Sequence, residues 1–305
     1  MKKGQPAHAP GAELPISISR PDKIFWPDEG YTKRDLAEYY RSVFPKLSPY
    51  VEDRLLTLER CPEGMRGECF FQKQAPKSMP PGTPTKRLEH LGRAGEFTDY
   101  VVGGALVTQL ALANLGCIAV HVMAARAASP RQPDWVCIDI DPESGRFADA
   151  ARAGLKVKAA MDLLSLRSFP KTSGSRGLHV FVPIRCGPDS DRVLAFAQAF
   201  VARVASAHPR DLTVEHSAAA RHGRVYLDPF RNAFGQTVVA PYSVRRREKA
   251  PISTPLNWSE VTTALIPSTF NIGNFTERLA HTDPWRDFFE DRQALDDAER
   301  RLEQL

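Results

Sequence analysis

Three aspartates close apolar runs that read as buried β-strands: Asp139 and Asp141 in "WVCIDIDPESG" (135–145) and Asp228 in "GRVYLDPFRN" (223–232). Side chains of a strand alternate faces, so residues two apart project from the same side, about 6 to 7 Å from one another. Asp139 and Asp141 therefore point the same way. Two carboxylates at that spacing oppose each other's ionisation unless a cation or a hydrogen-bond network compensates, and a divalent metal is the simplest compensation. Taken singly, each segment is equally a strand running into an Asp-Pro turn.

A second chemistry resides in "KTSGSRGLHVFVPI" (171–184), which joins a small-residue turn to an apolar strand. Gly174 and Gly177 let backbone amides approach a ligand closely, Ser173 and Ser175 add hydroxyls, and Arg176 adds a fixed positive charge. His179 begins the strand within reach of the same ligand. By itself the segment is also a polar turn followed by a hydrogen-bonding histidine. Together, three strand-end carboxylates and a Gly/Ser/Arg loop meet the needs of two-metal nucleotidyl transfer. Two ions about 3.5 to 4 Å apart activate the attacking 3′ hydroxyl and neutralise the triphosphate, while hydroxyl, amide and guanidinium donors stabilise the transferring group.

These residues need a scaffold, and the flanking patterns supply one. In "TKRDLAEYYRSVFPKL" (32–47) Thr32 is an N-cap with Asp35 three residues on, and Leu36, Tyr39, Tyr40 and Val43 fall at helical spacing. "RLLTLERCP" and "GECFFQK" read as two short strands joined by "PEGMRG", followed by a Pro-rich connector from Ala75 to Pro84. A helix over 104–115 ends at the C-cap signal Gly116, and "CIAVHVM" is a strand with His121 on the face of Cys117 and Ala119. Residues 148–168 read as a helix with the apolar stripe Leu155, Ala159, Leu163 and Leu166, and a second helix covers about 191–206. "RVYLDPF" and "TVVAPYSV" are further strands, and an acidic amphipathic helix closes the sequence. Strands and helices interleave without a βαβ rhythm, which argues α+β with mixed or antiparallel sheets.

Composition narrows the function class. With 305 residues and 42% apolar content, the chain is long enough for one large or two modest globular domains. Net charge is +5, but residues 287–305 hold seven acids against three arginines, a net of −4, so the remainder carries about +9. A basic body suits a polyanion such as nucleic acid. Cys61, Cys69, Cys117, Cys137 and Cys186 make no CxxC pair, and three lie in apolar runs, so neither a structural zinc nor a disulfide framework is expected. "MKKGQPAHAPGAELP" lacks the apolar segment of a secretory signal and reads as a loose arm. The stretch from Val101 to Met123 is interrupted by Gly103, Gly104, Gln109, Asn114 and His121, which argues against a membrane span and for a soluble, cytoplasmic protein.

"DIDP", "TSGSRGLHVFVP" and "YLDPFRN" resemble, in order, the three motifs of the archaeo-eukaryotic primase superfamily, and above all the polymerase domain of bacterial ATP-dependent DNA ligase D. "RPDKIFWPDEGYTKRDLAEYY", "GECFFQKQAP", "APYSVRRR" and "DPWRDFF" extend the resemblance from about Ile16 to Phe289. It implies an α+β primase-like catalytic core of mixed and antiparallel sheets flanked by helices, with a smaller N-terminal α/β subdomain. The implied layout is a flexible arm (1–15), a primase-polymerase domain (16–290) divided into an N-terminal subdomain (about 16–85) and a core (about 86–290), and an acidic C-terminal helix (291–305).

The resemblance also implies roles. The activity would be template-directed, metal-dependent nucleotidyl transfer that fills gaps or extends ends in non-homologous end joining, with a preference for ribonucleotides. Asp139, Asp141 and Asp228 would bind two manganese or magnesium ions, and Asp228 would help activate the primer hydroxyl. His121, Ser173, Arg176, Gly177, His179 and Arg245 would hold the NTP or dNTP. Lys23, Lys33 and Arg60 would receive the 5′ phosphate of a gapped or broken end. Phe70 and Phe71 would stack on the template, although strand alternation leaves room for one of them in the core. The sequence departs from the family pattern at Glu59, where a basic residue is frequent, at "HVMAAR", where His-Pro-Trp is frequent, and at Arg231, where Gln is frequent before Asn232. Arg231, with Arg245 and Arg247, adds charge for backbone or triphosphate binding. The polymerase-like region accounts for nearly the whole chain, so a stand-alone protein or a piece of a longer one is expected. A Ku-type end-binding protein and a separate ATP-dependent DNA ligase are the implied partners, with a nucleoid-associated location in the bacterial cytoplasm. Two other readings use the same residues: a non-catalytic DNA-end-binding and synapsis module, and a primase acting in replication.

Overall fold

The computed structural model describes residues 14–89 and 95–304, so nearly all of the expected N-terminal arm lies outside the described residues. The first part of the chain forms β1 (Ile24–Trp26), β2 (Tyr31–Thr32), α1 (Lys33–Val51), β3 (Arg54–Arg60), β4 (Phe70–Gln72), β5 (Thr85–Glu89), β6 (Phe97–Val101) and α2 (Leu106–Asn114). There follow β7 (Cys117–Arg126), β8 (Trp135–Pro142), α3 (Phe147–Leu163), β9 (Phe169–Thr172), β10 (Leu178–Pro183), α4 (Ser190–Ala207), β11 (Leu212–Thr213) and β12 (Val225–Asp228). The last elements are β13 (Val238–Val239), α5 (Phe275–Leu279) and α6 (Leu295–Gln304).

A five-stranded sheet has the order β11-β12-β8-β10-β9, antiparallel except for the β11/β12 pair, and a four-stranded antiparallel sheet has the order β13-β7-β3-β4. Strands β3 and β4 thus share a sheet with β7 and β13 from beyond residue 85, through the β3/β7 pairing, so one sheet draws on both sides of that position. The α+β reading holds.

The run from Trp135 to Ile140 is apolar almost throughout because β8 is a central strand covered on both faces. Val136, Ile138 and Ile140 join Leu178, Val180, Val182 and Leu227 in a core with α3 and α4. On the opposite face, Trp135, Cys137, Phe169 and Phe181 join a second core with α1, the smaller sheet, Trp285 and Phe288. Each fully buried aliphatic or aromatic side chain contributes about 1.5 to 3 kcal/mol. Asp139 and Asp141 continue the Trp135/Cys137 face to the point where that second core stops covering it.

Thr32 and Asp35 close the anticipated capping box, with Asp35 N donating to Thr32 Oγ1 (3.2 Å) and Thr32 N to Asp35 Oδ2 (2.7 Å). The helix runs past the expected 47 to Val51, through Pro45 and Pro49. The stripe expected on α3 is corrected: Ala150, Ala153, Gly154, Val157 and Met161 face the core, while Leu155 and Leu163 are 45% and 66% exposed. Small residues let the helix lie close to the sheet, since a Cβ on Gly154 would stand 2.3 Å from Leu178 Cδ2. The helix also stops at Leu163, because Phe169–Thr172 forms the edge strand β9, where Pro170 is tolerated.

Cys61 and Cys69 form a disulfide, against the expectation of none. The pairing of Arg60 with Phe70 in the β3/β4 hairpin places the next residues outward, 61 and 69, opposite one another. The β5/β6 hairpin was not anticipated, since β5 is polar and mostly exposed, and in "TVVAPYSV" only Val238–Val239 pairs as strand. Among the described residues, no helix is long and apolar enough to cross a membrane.

Candidate active site

Strand register sets four side chains in a row across the larger sheet. Lys171 on β9 faces His179 on β10, His179 faces Asp139 on β8, and Asp139 faces Asp228 on β12. One step further, Asp141 faces Tyr226. Directly opposed residues share a face, so all three aspartates and His179 stand on the same side. Lys171 is fully buried, with Nζ 2.8 Å from His179 Nδ1 and donating to Ser253 Oγ (2.6 Å). With the lysine as donor, the neutral imidazole carries its proton on Nε2, which points at Asp139 Oδ1, 3.3 Å away.

Burial, aided by Lys171 and resisted by Asp139, brings His179 down to about 4, so the ring is neutral at pH 7. Burial likewise lowers Lys171 to about 7, against the opposing pull of Cys137 and Asp139. For Asp139, burial raises the carboxyl pKa, but His179 and Arg231 outweigh it and hold the group well below the usual carboxylate range. Asp228 shifts the other way: burial and the adjacent Asp139 raise it, and Arg231 offsets only part of the rise. Two neighbouring acids are thus driven apart by their surroundings.

Two guanidinium groups meet the three acids. Arg231 Nε donates to Asp139 Oδ2 (3.1 Å) and Arg231 Nη2 lies 3.4 Å from Asp228 Oδ2. Arg221 Nη1 donates to Asp141 Oδ2 (3.3 Å), and its other donors reach Glu215 O (3.1 Å) and His216 O (3.0 Å) while it lies over the Tyr226 ring. The turn after Asp228 is pinned to β8 by Asn232, whose Nδ2 donates to Cys137 O (2.7 Å) and whose Oδ1 accepts from Cys137 N (2.8 Å). Asp228 also serves its turn, accepting from Phe230 N (2.7 Å), so turn former and strand-end acid are one residue.

The acids open into a cavity of about 500 Å³ lined by all the residues expected around a nucleotide: His121, Ser173, Arg176, Gly177, His179 and Arg245, together with Phe71. Five arginines (Arg176, Arg221, Arg231, Arg245, Arg247) against three aspartates leave the lining at +2, a polarity suited to a polyanion. In the Gly/Ser loop, the amides of Ser175 and Gly177 turn onto Ser173 Oγ (3.2 and 3.1 Å) rather than outward, which differs from the expected amide cradle. Gly177 is required by close approach, since a Cβ there would stand 2.6 Å from Ile140 O on β8. The Ser173 hydroxyl, still free to donate, Ser175 and Arg176 remain as the loop's polar side chains in the lining. His121 Nε2 and Arg245 Nε are buried without a protein partner, and a buried polar atom of that kind calls for a ligand or water. Phe71 meets the His121 ring edge-on at 5.4 Å.

Lys23, Lys33, Arg60 and Phe70 lie outside the cavity lining. Lys23 and Lys33 adjoin across the β1/β2 pair, with Lys33 N donating to Lys23 O (2.9 Å). Lys33 is buried and donates through Nζ to Ser19 O (2.7 Å) and Ser19 Oγ (3.0 Å); Lys23 Nζ donates to Pro62 O (2.8 Å) and pairs with Glu63. Burial, with Arg20 and Lys23 nearby, lowers Lys33 to about 8. Arg60 donates to Leu115 O (3.2 Å) and Gln72 Oε1 (2.8 Å) above the Phe70 ring. Phe70 and Phe71 are 43% and 63% exposed, so neither belongs to the core. Lys171, Arg221 and Tyr226 were missed. Lys171 heads the loop that was singled out, but only the β9/β10 register reveals its link to His179.

The carboxylates offer hard oxygen donors of the kind that hold magnesium or manganese. With Arg231 and Arg221 standing against them, no group of three or more His, Cys, Asp or Glu among the described residues converges on one point. The chemistry of the donor set fits divalent ions, provided the guanidinium between Asp139 and Asp228 yields its place.

Residues 32–285 match the family model of the LigD primase-polymerase domain. The chain is 30% identical over 295 residues to the Bifunctional non-homologous end joining protein LigD of Bacillus subtilis, covering 94% of this chain and 46% of that protein. It is 31% identical over 307 residues to the Multifunctional non-homologous end joining protein LigD of Pseudomonas aeruginosa, covering 98% of this chain and 36% of that protein. The chain therefore spans less than half the length of these relatives. Its fold is similar to the polymerase domain of Mycobacterium tuberculosis ligase D, solved in complex with DNA, at TM-score 0.84 and 26% identity, over 92% of this chain and 100% of that one. Family model and fold together place the chain in the polymerase class of nucleotidyltransferases. The chain belongs to the LigD primase-polymerase domain family.

Proposed function

We propose that the protein is a template-directed, metal-dependent nucleotidyltransferase that fills gaps or extends ends during non-homologous end joining, and that it uses ribonucleotides in preference to deoxynucleotides. The observation that supports this best is the convergence of three register-locked aspartates, a surplus of arginines and two partnerless buried nitrogens in one cavity. Asp139, Asp141 and Asp228 would hold two manganese or magnesium ions, which when bound supply activation of the primer 3′ hydroxyl and neutralisation of the triphosphate. Arg176, Arg245, Ser173 and Ser175 bind the triphosphate by charge and hydrogen bonds, and His121 completes its shell toward the sugar through Nε2. Lys171 fixes the tautomer of His179, which in turn orients Asp139 through Nε2–H. Asp228 would also help activate the primer hydroxyl.

Lys23 and Lys33 would bind the 5′ phosphate beyond the gap, with Arg60 beside them, and Phe70 and Phe71 would stack on the template. A Ku-type end-binding protein and an ATP-dependent ligase activity would complete the repair reaction. Primer extension on a gapped duplex with a 5′ phosphate, with manganese and ribo- or deoxynucleotides, tests this. Templated addition by the wild type and none by Asp139→Ala/Asp141→Ala is the expected result. An inactive wild type with intact phosphate-dependent binding would favour a non-catalytic end-binding module, and synthesis on unprimed single strands would favour a primase.

A further inference from the structure

The cations at the three acids are unequal. Arg221 is fixed on Asp141 by two main-chain carbonyls and the Tyr226 ring. Arg231 bridges Asp139 and Asp228, the two directly opposed acids, and among the described residues its side-chain hydrogen bond and ion pairs go to these two. Its side chain is 37% exposed against 11% for Arg221, so it can leave without opening the fold. The space it fills is also where a divalent ion shared by Asp139 and Asp228 would sit. A guanidinium and a divalent cation cannot occupy one carboxylate pair together, because like charges at contact distance in a partly buried site repel strongly.

We propose that Arg231 is a displaceable counter-cation: in the nucleotide-free protein it occupies the divalent-ion position between Asp139 and Asp228, and metal binding drives it off toward the incoming triphosphate. This rests on the reading of these carboxylates as metal ligands. It stabilises the acids while the site is empty and makes metal binding weak on its own. Released, the guanidinium lies in the same cavity as Arg176 and Arg245, where it adds a donor to the phosphates. Metal and triphosphate then favour each other's binding, since each stabilises the state in which Arg231 has moved.

The test is a titration with manganese alone, read from the electron paramagnetic resonance signal of the free ion, so that no turnover is needed. Arg231→Gln and Arg231→Met are expected to bind manganese on the order of tenfold tighter than wild type. Arg247→Gln removes the same charge from the same cavity but from a side chain in no ion pair among the described residues. It is expected to change affinity only about two- to threefold, by its field alone. Equal affinities for wild type and both Arg231 variants, or a change no larger than that of Arg247→Gln, would overturn the proposal while leaving the metal site standing. Binding that is unaltered in Asp139→Asn/Asp228→Asn, or absent in every variant, would overturn the metal-ligand reading and the proposal with it.

Discussion

The cavity at Asp139 and the lysine pair at Lys23 and Lys33 are both basic, yet their charges are arranged in opposite ways. In the cavity, arginines from the segments flanking β12 meet acids at the strand ends: Arg231 with Asp139 and Asp228, Arg221 with Asp141. At the N-terminus, Lys23 is paired with Glu63, but like charges gather around Lys33, which burial with Arg20 and Lys23 lowers to about 8 while its donors turn to Ser19. The first arrangement would hold the proposed metal ligands at fixed positions before substrate arrives. In the second, an anion would relieve the repulsion on Lys33, in keeping with the phosphate-binding role proposed for this pair.

The contrast can be broken most severely at Asp228. Asp228→Asn keeps the turn acceptor for Phe230 N but removes the proposed metal ligand and base, and templated addition is expected to fall at least about 10³-fold with DNA binding retained. His179→Ala removes the orienting contact to Asp139 and is expected to cost about 10- to 100-fold in addition rate. Lys171→Gln, which removes the ammonium donor shared by His179 Nδ1 and Ser253 Oγ, is expected to fall at the low end of that range, measured by single-turnover addition. At the other region, Lys23→Ala/Lys33→Ala is expected to leave addition on an unphosphorylated gap nearly unchanged and to remove about 2 kcal/mol of the preference for a 5′ phosphate, read by competition binding.

The smallest effect is one of pH. Because Lys33 titrates near 8 in the folded protein instead of 10.5, its charge is present at pH 7 and lost as pH rises through 8. The preference for 5′-phosphorylated ends is therefore expected to weaken severalfold between pH 7 and pH 9, and Lys33→Met is expected to flatten that slope.

The two regions also differ in how far they were legible in the sequence. Asp139, Asp141 and Asp228 stand out because acids at the ends of apolar strands contradict the burial pattern around them, and the Thr32/Asp35 capping box is a purely local signal. What was hidden depends on pairing between distant segments. Lys171 gains its link to His179 only through the β9/β10 register, and Arg221 reaches Asp141 from a loop with no pattern of its own. The Cys61–Cys69 bond follows from the β3/β4 register rather than from cysteine spacing. On α3, the stripe of Leu155, Ala159, Leu163 and Leu166 outweighed the small residues, although Gly154 marks the side of closest approach. Large side chains announce hydrophobicity; small ones announce contact.

The most direct test compares templated addition on gapped DNA with and without a 5′ phosphate for wild type, Asp228→Asn and Lys23→Ala/Lys33→Ala. Two separable sites require that Asp228→Asn abolish addition on both substrates while still binding phosphorylated ends more tightly, and that the lysine variant add nucleotides equally to both. Substantial addition by Asp228→Asn, or loss of all addition in the lysine variant, would contradict the assignment of chemistry to the cavity and recognition to the N-terminal lysines.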